Sequence, residues 1–236
     1  VVAVTAGVVM VLLSLLLKRA PENIADILGV TAKKTKTAPD AEADQRHLFK
    51  DPAFYTYYLW AIIILGAGLT MIGTSMQGAV ELGVAETFAA TLTGIIPIVN
   101  GFSGFSMGVV YDKLGLRKCM ILVGGIGFVG LAMLATSFQT GASVVYIVGC
   151  LVLVVAYGSV APLAAGFARE RYGNARYPRH LAIVNTDIAG GSAFQQAVSS
   201  ACAGASPAVY IALTVFGGVA LLTSIIHSRI TKPKKA

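Results

Sequence analysis

The chain has 236 residues, of which 56% are hydrophobic and only 12% are charged. So little charge cannot cover the surface of a water-soluble globule, and the composition therefore indicates a membrane protein rather than a soluble domain. A net charge of +7 would suit nucleic-acid binding. However, the basic residues lie in short connections between apolar runs, which argues against that class too.

The N-terminal part of the chain contains one apolar run and one polar stretch. Residues 1–17 are apolar up to Lys18, and the chain opens inside this run without a Met. We expect this run to be the end of a transmembrane helix that begins further upstream. Residues 18–52 carry charges of both signs and no long apolar run, which predicts a loop. Its lysines at 33–36 would either contact an anionic membrane surface or belong to a solvated linker.

Six further apolar segments follow, each about the length of a helix that crosses a bilayer. They cover about 53–76, 87–110, 119–138, 143–167, 181–204 and 207–227. No segment shows the alternating pattern of a strand. The sequence therefore predicts an all-α, polytopic membrane protein with a six-helix transmembrane region at 53–228 and a basic tail at 229–236.

The distribution of basic residues predicts the orientation of these segments. All 18 Lys and Arg residues lie in 18–50, 113–118, 169–179 and 229–235, and the alternate connections hold none. Because cytoplasmic loops carry an excess of Lys and Arg, we expect both the loop 18–52 and the C-terminus to be cytoplasmic. The membrane would be the plasma membrane or an inner membrane.

The turn between the second and third of the six segments has a distinctive polar pattern. It reads G-x-V-Y-D-K-x-G-x-R-K and contains Gly108, Asp112, Lys113, Gly115, Arg117 and Lys118. Gly108 would let two backbones approach closely, and Gly115 can adopt the positive φ of a tight reversal. Asp112 can accept hydrogen bonds from a neighbouring helix end. The pattern resembles the loop signature of the major facilitator superfamily of secondary transporters.

This resemblance implies a fold and a function for nearly the whole chain. The chain would be the C-terminal half of such a transporter, with the end of the sixth helix at 1–17 and helices seven to twelve at 53–228. In that fold two six-helix halves enclose a solute site, and rocking of the halves gives alternating access. The resemblance therefore implies a missing N-terminal half as partner, a small organic solute as substrate, and a cytoplasmic gate formed by the turn at 108–118.

Two stretches look like the oxalate/formate antiporter and monocarboxylate porter relatives within that superfamily. They are Phe54-Tyr55-x-x-Tyr58-Leu59-Trp60 and Asn100-Gly101-x-x-Gly104-x-x-x-Gly108. The oxalate carriers have an arginine where Gly104 stands, and a lysine in their eleventh helix that this chain lacks. The resemblance therefore favours a monocarboxylate-like anion, carried with proton coupling or by exchange, over a dicarboxylate.

Asp187 is the one ionisable residue well inside a predicted span. A charge there costs about 2.5–3.5 kcal/mol on insertion scales, so its side chain should face a cavity or a partner. It would either couple transport to protons or cations, or contact the solute. Alternatively, it reaches interfacial water or pairs with Arg179. Asn185 and Gln195 recur near it at helical spacing and would line a cavity or join helices.

Two more polar residues are candidates for the cavity wall. Asn100 would orient the solute or satisfy the carbonyl that Pro97 leaves free. Tyr157 would present its hydroxyl to the cavity or be a buried structural residue. A non-transporting protein of the same fold, acting as a receptor or an assembly partner, is the alternative function.

Nothing in the sequence indicates an enzyme, a metal site or a cofactor. The cysteines match no metal-binding spacing, and the histidines form no cluster. Gly125, Gly127 and Gly130 match the spacing of a dinucleotide-binding loop, but they lie in an apolar segment with no strand before it. We therefore interpret these glycines as helix-packing residues.

Overall fold

The computed structural model describes residues 45–173, 177–202 and 206–231, and its regular structure within them is entirely helical. These residues belong to the second of two compact units, at 38–236. The helices are α1 Gln45–Lys50, α2 Pro52–Glu81, α3 Glu86–Thr140, α4 Ser143–Gly158, α5 Val160–Tyr172, α6 Tyr177–Val184, α7 Asp187–Ala201 and α8 Ser206–Ile230. The predicted helix end at 1–17, most of the loop 18–52 and most of the tail lie outside the described residues.

Helix α2 begins where the local sequence encodes a start. Asp51 has an extended backbone, and its carboxylate accepts a hydrogen bond of 3.0 Å from the Ala53 N–H. Pro52 follows at the first helical position, where no N–H is needed. The helix is apolar on nearly every side, which is typical of a helix buried among others.

Helix α3 consists of two arms separated by Gly115. This glycine has φ 74° and ψ 165°, outside the helical region and accessible mainly to glycine. The first arm, 86–114, runs parallel to α4 and α5, through the contacts Gly104–Gly158 and Tyr111–Gly166. The second arm, 116–140, runs antiparallel to α4, through the contacts Gly130–Leu153 and Leu134–Gly149. The chain therefore reverses at Gly115, as the turn motif predicts.

The other helices continue this alternation. Helix α2 is antiparallel to α4 and α5, since Tyr57 stacks on Phe167 while the Tyr146 hydroxyl donates to Thr74 O at the other end. It is also antiparallel to α8, as the pairs Thr56–His227 and Thr74–Tyr210 show. One end of the bundle, which we call the basic end, therefore collects Asp51, Gly115, the end of α5 at Tyr172 and the end of α8.

The described basic residues lie towards this same end. They include Lys50, Lys113, Arg117, Lys118, Arg169, Arg171, Arg179 and Arg229. Such clustering is what the positive-inside pattern requires of one membrane face. That this face is cytoplasmic stays a prediction.

Four helices of the described chain are long and apolar enough to cross a membrane: Pro52–Glu81, Glu86–Thr140, Ser143–Tyr172 and Pro207–Ile230. The second of them contains two predicted spans, one in each arm of α3. The predicted span 181–204 is not among the four, because Asn185 and Thr186 interrupt it and leave the short helices α6 and α7. For this segment, membrane crossing stays a prediction.

The break between α4 and α5 is caused by Pro162. Pro162 has no N–H, so the carbonyl of Gly158, four residues earlier, lacks its helical donor. The helix ends at Gly158 and resumes at Val160. This break and the one between α6 and α7 shape the candidate site.

Glycines of the second arm of α3 let neighbouring helices approach closely. A methyl group added at Gly130 would lie 2.9 Å from Leu153 N, and one added at Gly127 would lie 2.9 Å from Ile64 Cδ1. At Gly125 it would meet nothing within 4 Å. Two of the three glycines in the dinucleotide-like spacing therefore pack against neighbours, within a helix and not after a strand.

Candidate functional site

A cavity of about 370 Å³ lies between the first arm of α3, the α4–α5 break and the α6–α7 break. Its wall carries four of the five predicted cavity residues: Asn100, Tyr157, Asn185 and Asp187. Gln195 is not on this wall. Its backbone lies where α7 crosses α2, 3.5 Å from a methyl group added at Gly66.

Asp187 is the buried acidic residue of this wall. It is the first residue of α7 and is 1% exposed, and its Oδ2 has no hydrogen-bond partner within the described chain. The free N–H groups and the dipole of a helix N-terminus favour a negative charge at this position. The structure shows no ion pair between Asp187 and Arg179, which is exposed. The carboxylate is therefore buried without a cationic partner among the described residues.

Small residues hold α7 against α2 and so fix the position of Asp187. A methyl group added at Gly190 would lie 2.7 Å from Ile62 Cδ1, and one added at Gly191 would lie 2.9 Å from Leu65 Cβ. Glycines 190 and 191 therefore serve close packing. Across the α6–α7 break, the Tyr58 hydroxyl lies 2.8 Å from Thr186 Oγ1, and this bond ties the break to α2.

Asn100 lies on the part of the cavity wall that α3 contributes, against the α4–α5 break. Its Oδ1 is buried without a hydrogen-bond partner among the described residues. Its backbone carbonyl accepts a 2.7 Å hydrogen bond from Ser103 Oγ. No described bond links its amide to the carbonyl that Pro97 leaves free. Nearby, the half-buried Tyr157 packs its ring on Gly68.

The turn at 108–118 differs in detail from its predicted contacts. A methyl group at Gly108 would meet nothing within 4 Å, so the expected close backbone approach is not found there. The Tyr111 ring of this turn packs instead on Gly166. The Tyr111 hydroxyl donates a 2.6 Å hydrogen bond to Glu170 Oε1. Asp112 is exposed and accepts no hydrogen bond from another described residue.

Sequence reasoning missed the ion pair at the basic end. Arg171 donates from Nε to Asp51 Oδ2 at 2.6 Å and from Nη2 to Asp51 Oδ1 at 2.9 Å. Burial raises the pKa of Asp51, but the hydrogen bonds from Arg171 and the Ala53 N–H outweigh it and hold the pKa below its ordinary value. The D-P start signal of α2 was readable from the sequence. The partner, 120 residues away, was not.

This end of the bundle also has a smaller cavity, of about 150 Å³, beside Arg117, Arg171 and His227. His227 is fully buried, and its Nδ1 lies 2.8 Å from Thr56 Oγ1. The pair links the end of α8 to the start of α2.

An all-helical bundle with several membrane-length apolar helices and a partly polar internal cavity defines a polytopic membrane protein. The chain matches the family model of the Major Facilitator Superfamily over residues 1–196, and it belongs to that superfamily. Its class is therefore that of a major facilitator transporter. No curated protein matches the chain significantly. The resemblance is thus confirmed for the superfamily, whereas the oxalate/formate and monocarboxylate relatives are not confirmed.

Proposed function

We propose that the protein carries a small monocarboxylate-like anion by alternating access, with proton coupling or exchange. The observation that supports this most is the buried Asp187 carboxylate, which shares one cavity with the neutral polar side chains of Asn100, Tyr157 and Asn185. None of the described residues that line the cavity is a Lys or Arg. A partly polar wall with one titratable acid suits a small monoanion better than a dianion.

Because no described Lys or Arg lines the cavity, we expect a carboxylate solute to bind together with a proton on Asp187. Two unit negative charges 4 Å apart repel by about 4 kcal/mol at an effective dielectric constant of 20. A carboxylate solute beside an ionised Asp187 would meet a repulsion of this order. A proton on Asp187 removes the repulsion, and Asp187 can then donate a hydrogen bond to the solute. Solute and proton would therefore cross together, with no net charge.

The rest of the transport cycle needs a second half. In this superfamily the solute site lies between two six-helix halves. We propose that an N-terminal half closes the cavity on its open side, and that the turn at 108–118 contributes to the cytoplasmic gate. Arg117 and the Tyr111–Glu170 bond, which links this turn to α5, support a role of the turn in holding the basic end together.

Uptake into proteoliposomes tests the proposal. The complete protein would be reconstituted and given labelled lactate, formate or oxalate with an imposed pH gradient. We expect gradient-driven uptake of a monocarboxylate, and its loss in Asp187→Asn. Solute exchange at equal pH should survive that change, since Asn resembles the protonated acid. Glu86→Gln removes an exposed carboxylate far from the cavity and is the matched control.

The outcomes separate three interpretations. Gradient-driven uptake that is unchanged in Asp187→Asn would make Asp187 a structural residue. Uptake of oxalate alone would contradict the monocarboxylate assignment. No uptake of these or of a wider set of solutes would favour the receptor or assembly-partner alternative.

A further inference from the structure

We propose that Gly158 is a positioning residue, which holds the Asn100 side chain so that its NH₂ group faces the cavity and selects a hydrogen-bond acceptor in the solute. This rests on the proposed function, because it assigns the group that binds the solute carboxylate. Gly158, which has no side chain, would thereby help to determine which solute the cavity binds.

The position of the Asn100 carbonyl oxygen carries the inference. A methyl group added at Gly158 would lie 2.5 Å from Asn100 Oδ1 and 2.5 Å from Asn100 O, and it would also meet Ser103 Oγ. Oδ1 thus occupies the space beside the glycine, where it is buried and has no hydrogen-bond donor among the described residues. The Asn100 side chain nevertheless lines the cavity. The part of the amide that remains open to the cavity is therefore Nδ2.

Two neighbours keep Asn100 in this arrangement. Ser103 Oγ donates to the Asn100 backbone carbonyl at 2.7 Å within α3, and the same Oγ lies against Gly158. The Gly158 carbonyl lies 3.2 Å from a methyl group added at Gly104, so the two helices touch through glycines on both sides. An oxygen packed on a glycine Cα gains at most a weak C–H···O contact, and a buried acceptor without a donor is costly. In this arrangement Asn100 Oδ1 stays unpaired among the described residues, while the NH₂ group of Asn100 faces the cavity as a donor.

The two polar sides of the cavity then differ in what they recognise. Asn100 offers N–H donors, which a carboxylate oxygen accepts. Asp187 offers a proton or an acceptor oxygen. A carboxylate solute would place one oxygen on Asn100 and approach protonated Asp187 with the other. A solute whose polar group only donates finds no partner at Asn100.

Equilibrium binding to the purified complete protein tests this, with labelled L-lactate and its neutral analogue lactamide as probes at mildly acidic pH. We expect the wild type to prefer lactate. Asn100→Asp turns the donor into an acceptor, so lactate binding should weaken by about 10- to 100-fold and the preference should shift to lactamide. A lactamide preference in the wild type, or no shift in Asn100→Asp, would overturn the inference.

Gly158→Ala tests the glycine itself. Its methyl group needs the space of Asn100 Oδ1, so we expect the lactate-to-lactamide affinity ratio to fall towards one. Gly94→Ala, on the same arm of α3 with nothing within 4 Å of the added methyl group, should keep the wild-type ratio. A packing defect alone would weaken both ligands equally, and an unchanged ratio in Gly158→Ala would therefore contradict the positioning role.

The two proposals fail in different ways. If the wild type binds neither ligand, the monocarboxylate assignment is wrong. If it binds lactate with an unchanged ratio in Gly158→Ala, the assignment stands and the role of Gly158 is refuted. Should Gly158→Ala not fold, Asn100→Asp decides the orientation of the amide.

Discussion

The glycines of the second arm of α3 allow the packing of the bundle to be tested with single methyl groups. In Gly130→Ala the new methyl group would lie 2.9 Å from Leu153 N and 3.0 Å from Leu153 Cα. Those are backbone atoms, which move only if α4 moves. Gly125→Ala is the matched control on the same arm, because its methyl group meets nothing within 4 Å.

Two opposing contributions set the expected size of the effect. Forcing a methyl group into a packed contact costs about 1–3 kcal/mol. Replacing a helical glycine by alanine returns about 0.5–1 kcal/mol. Gly125→Ala should therefore raise stability slightly, and Gly130→Ala should lower it, with a difference of about 1–3 kcal/mol between the variants. Gly127→Ala should lie between them, because its methyl group meets the flexible end of Ile64.

Thermal unfolding of the purified variants in detergent measures this order, with the folded fraction read by size-exclusion chromatography after heating. The apparent midpoints should fall in the order Gly125→Ala, Gly127→Ala, Gly130→Ala. Equal midpoints for Gly125→Ala and Gly130→Ala would refute the close approach of α3 and α4. A lower midpoint for Gly125→Ala than for Gly130→Ala would place the packed face on the wrong side of the helix.

Two predictions concern the basic end. The pKa of Asp51 is below its ordinary value in the folded protein. The ionised Asp51 therefore contributes fully to the free energy of unfolding at pH values above its ordinary pKa. This contribution is lost as the pH falls through the lowered pKa of the folded protein. Asp51→Asn keeps a good helix cap, so it should cost only about 0.5–1 kcal/mol near neutral pH and nothing at very low pH, as thermal scans against pH would show. A constant cost at every pH would mean that the ion pair with Arg171 is not its source. Tyr111→Phe should destabilise by about 0.5–1.5 kcal/mol, because it removes a hydrogen bond to the exposed Glu170 carboxylate, which water can then solvate. Tyr111→Phe in a Glu170→Gln background should cost less, and additive losses would show that the bond contributes nothing.

Local signals in the sequence encode much of the helical architecture, and the reversal at Gly115 was predicted from one of them. Asp51 and Pro52 mark the start of a helix through contacts within two residues, and Gly115 marks a reversal through its own backbone conformation. Both effects depend on neighbours in the chain, so they can be read without a fold. The interruption at Asn185 and Thr186 contains neither Gly nor Pro, so no local signal predicts it.

Contacts between distant segments set the limit of the sequence reasoning. Polar residues inside apolar spans predicted that Asn100 and Asp187 would avoid lipid, but only the fold brings them to one cavity. Whether they bind a solute stays a prediction. The wrong expectation at Gly108 has the same origin: a glycine permits close packing, yet the helix rotation decides whether a neighbour faces it.

The two helix breaks at the cavity enclose one segment of the chain, helices α5 and α6, which contact each other. Both breaks lie on the cavity wall, so a change of helix angle at either break would reshape the wall without unwinding a helix. The contacts that hold α5 at the basic end include the ion pair of Arg171 with Asp51, the hydrogen bond from Tyr111 to Glu170 and the stacking of Phe167 on Tyr57. The shape of the cavity wall therefore depends in part on residues that lie outside the cavity.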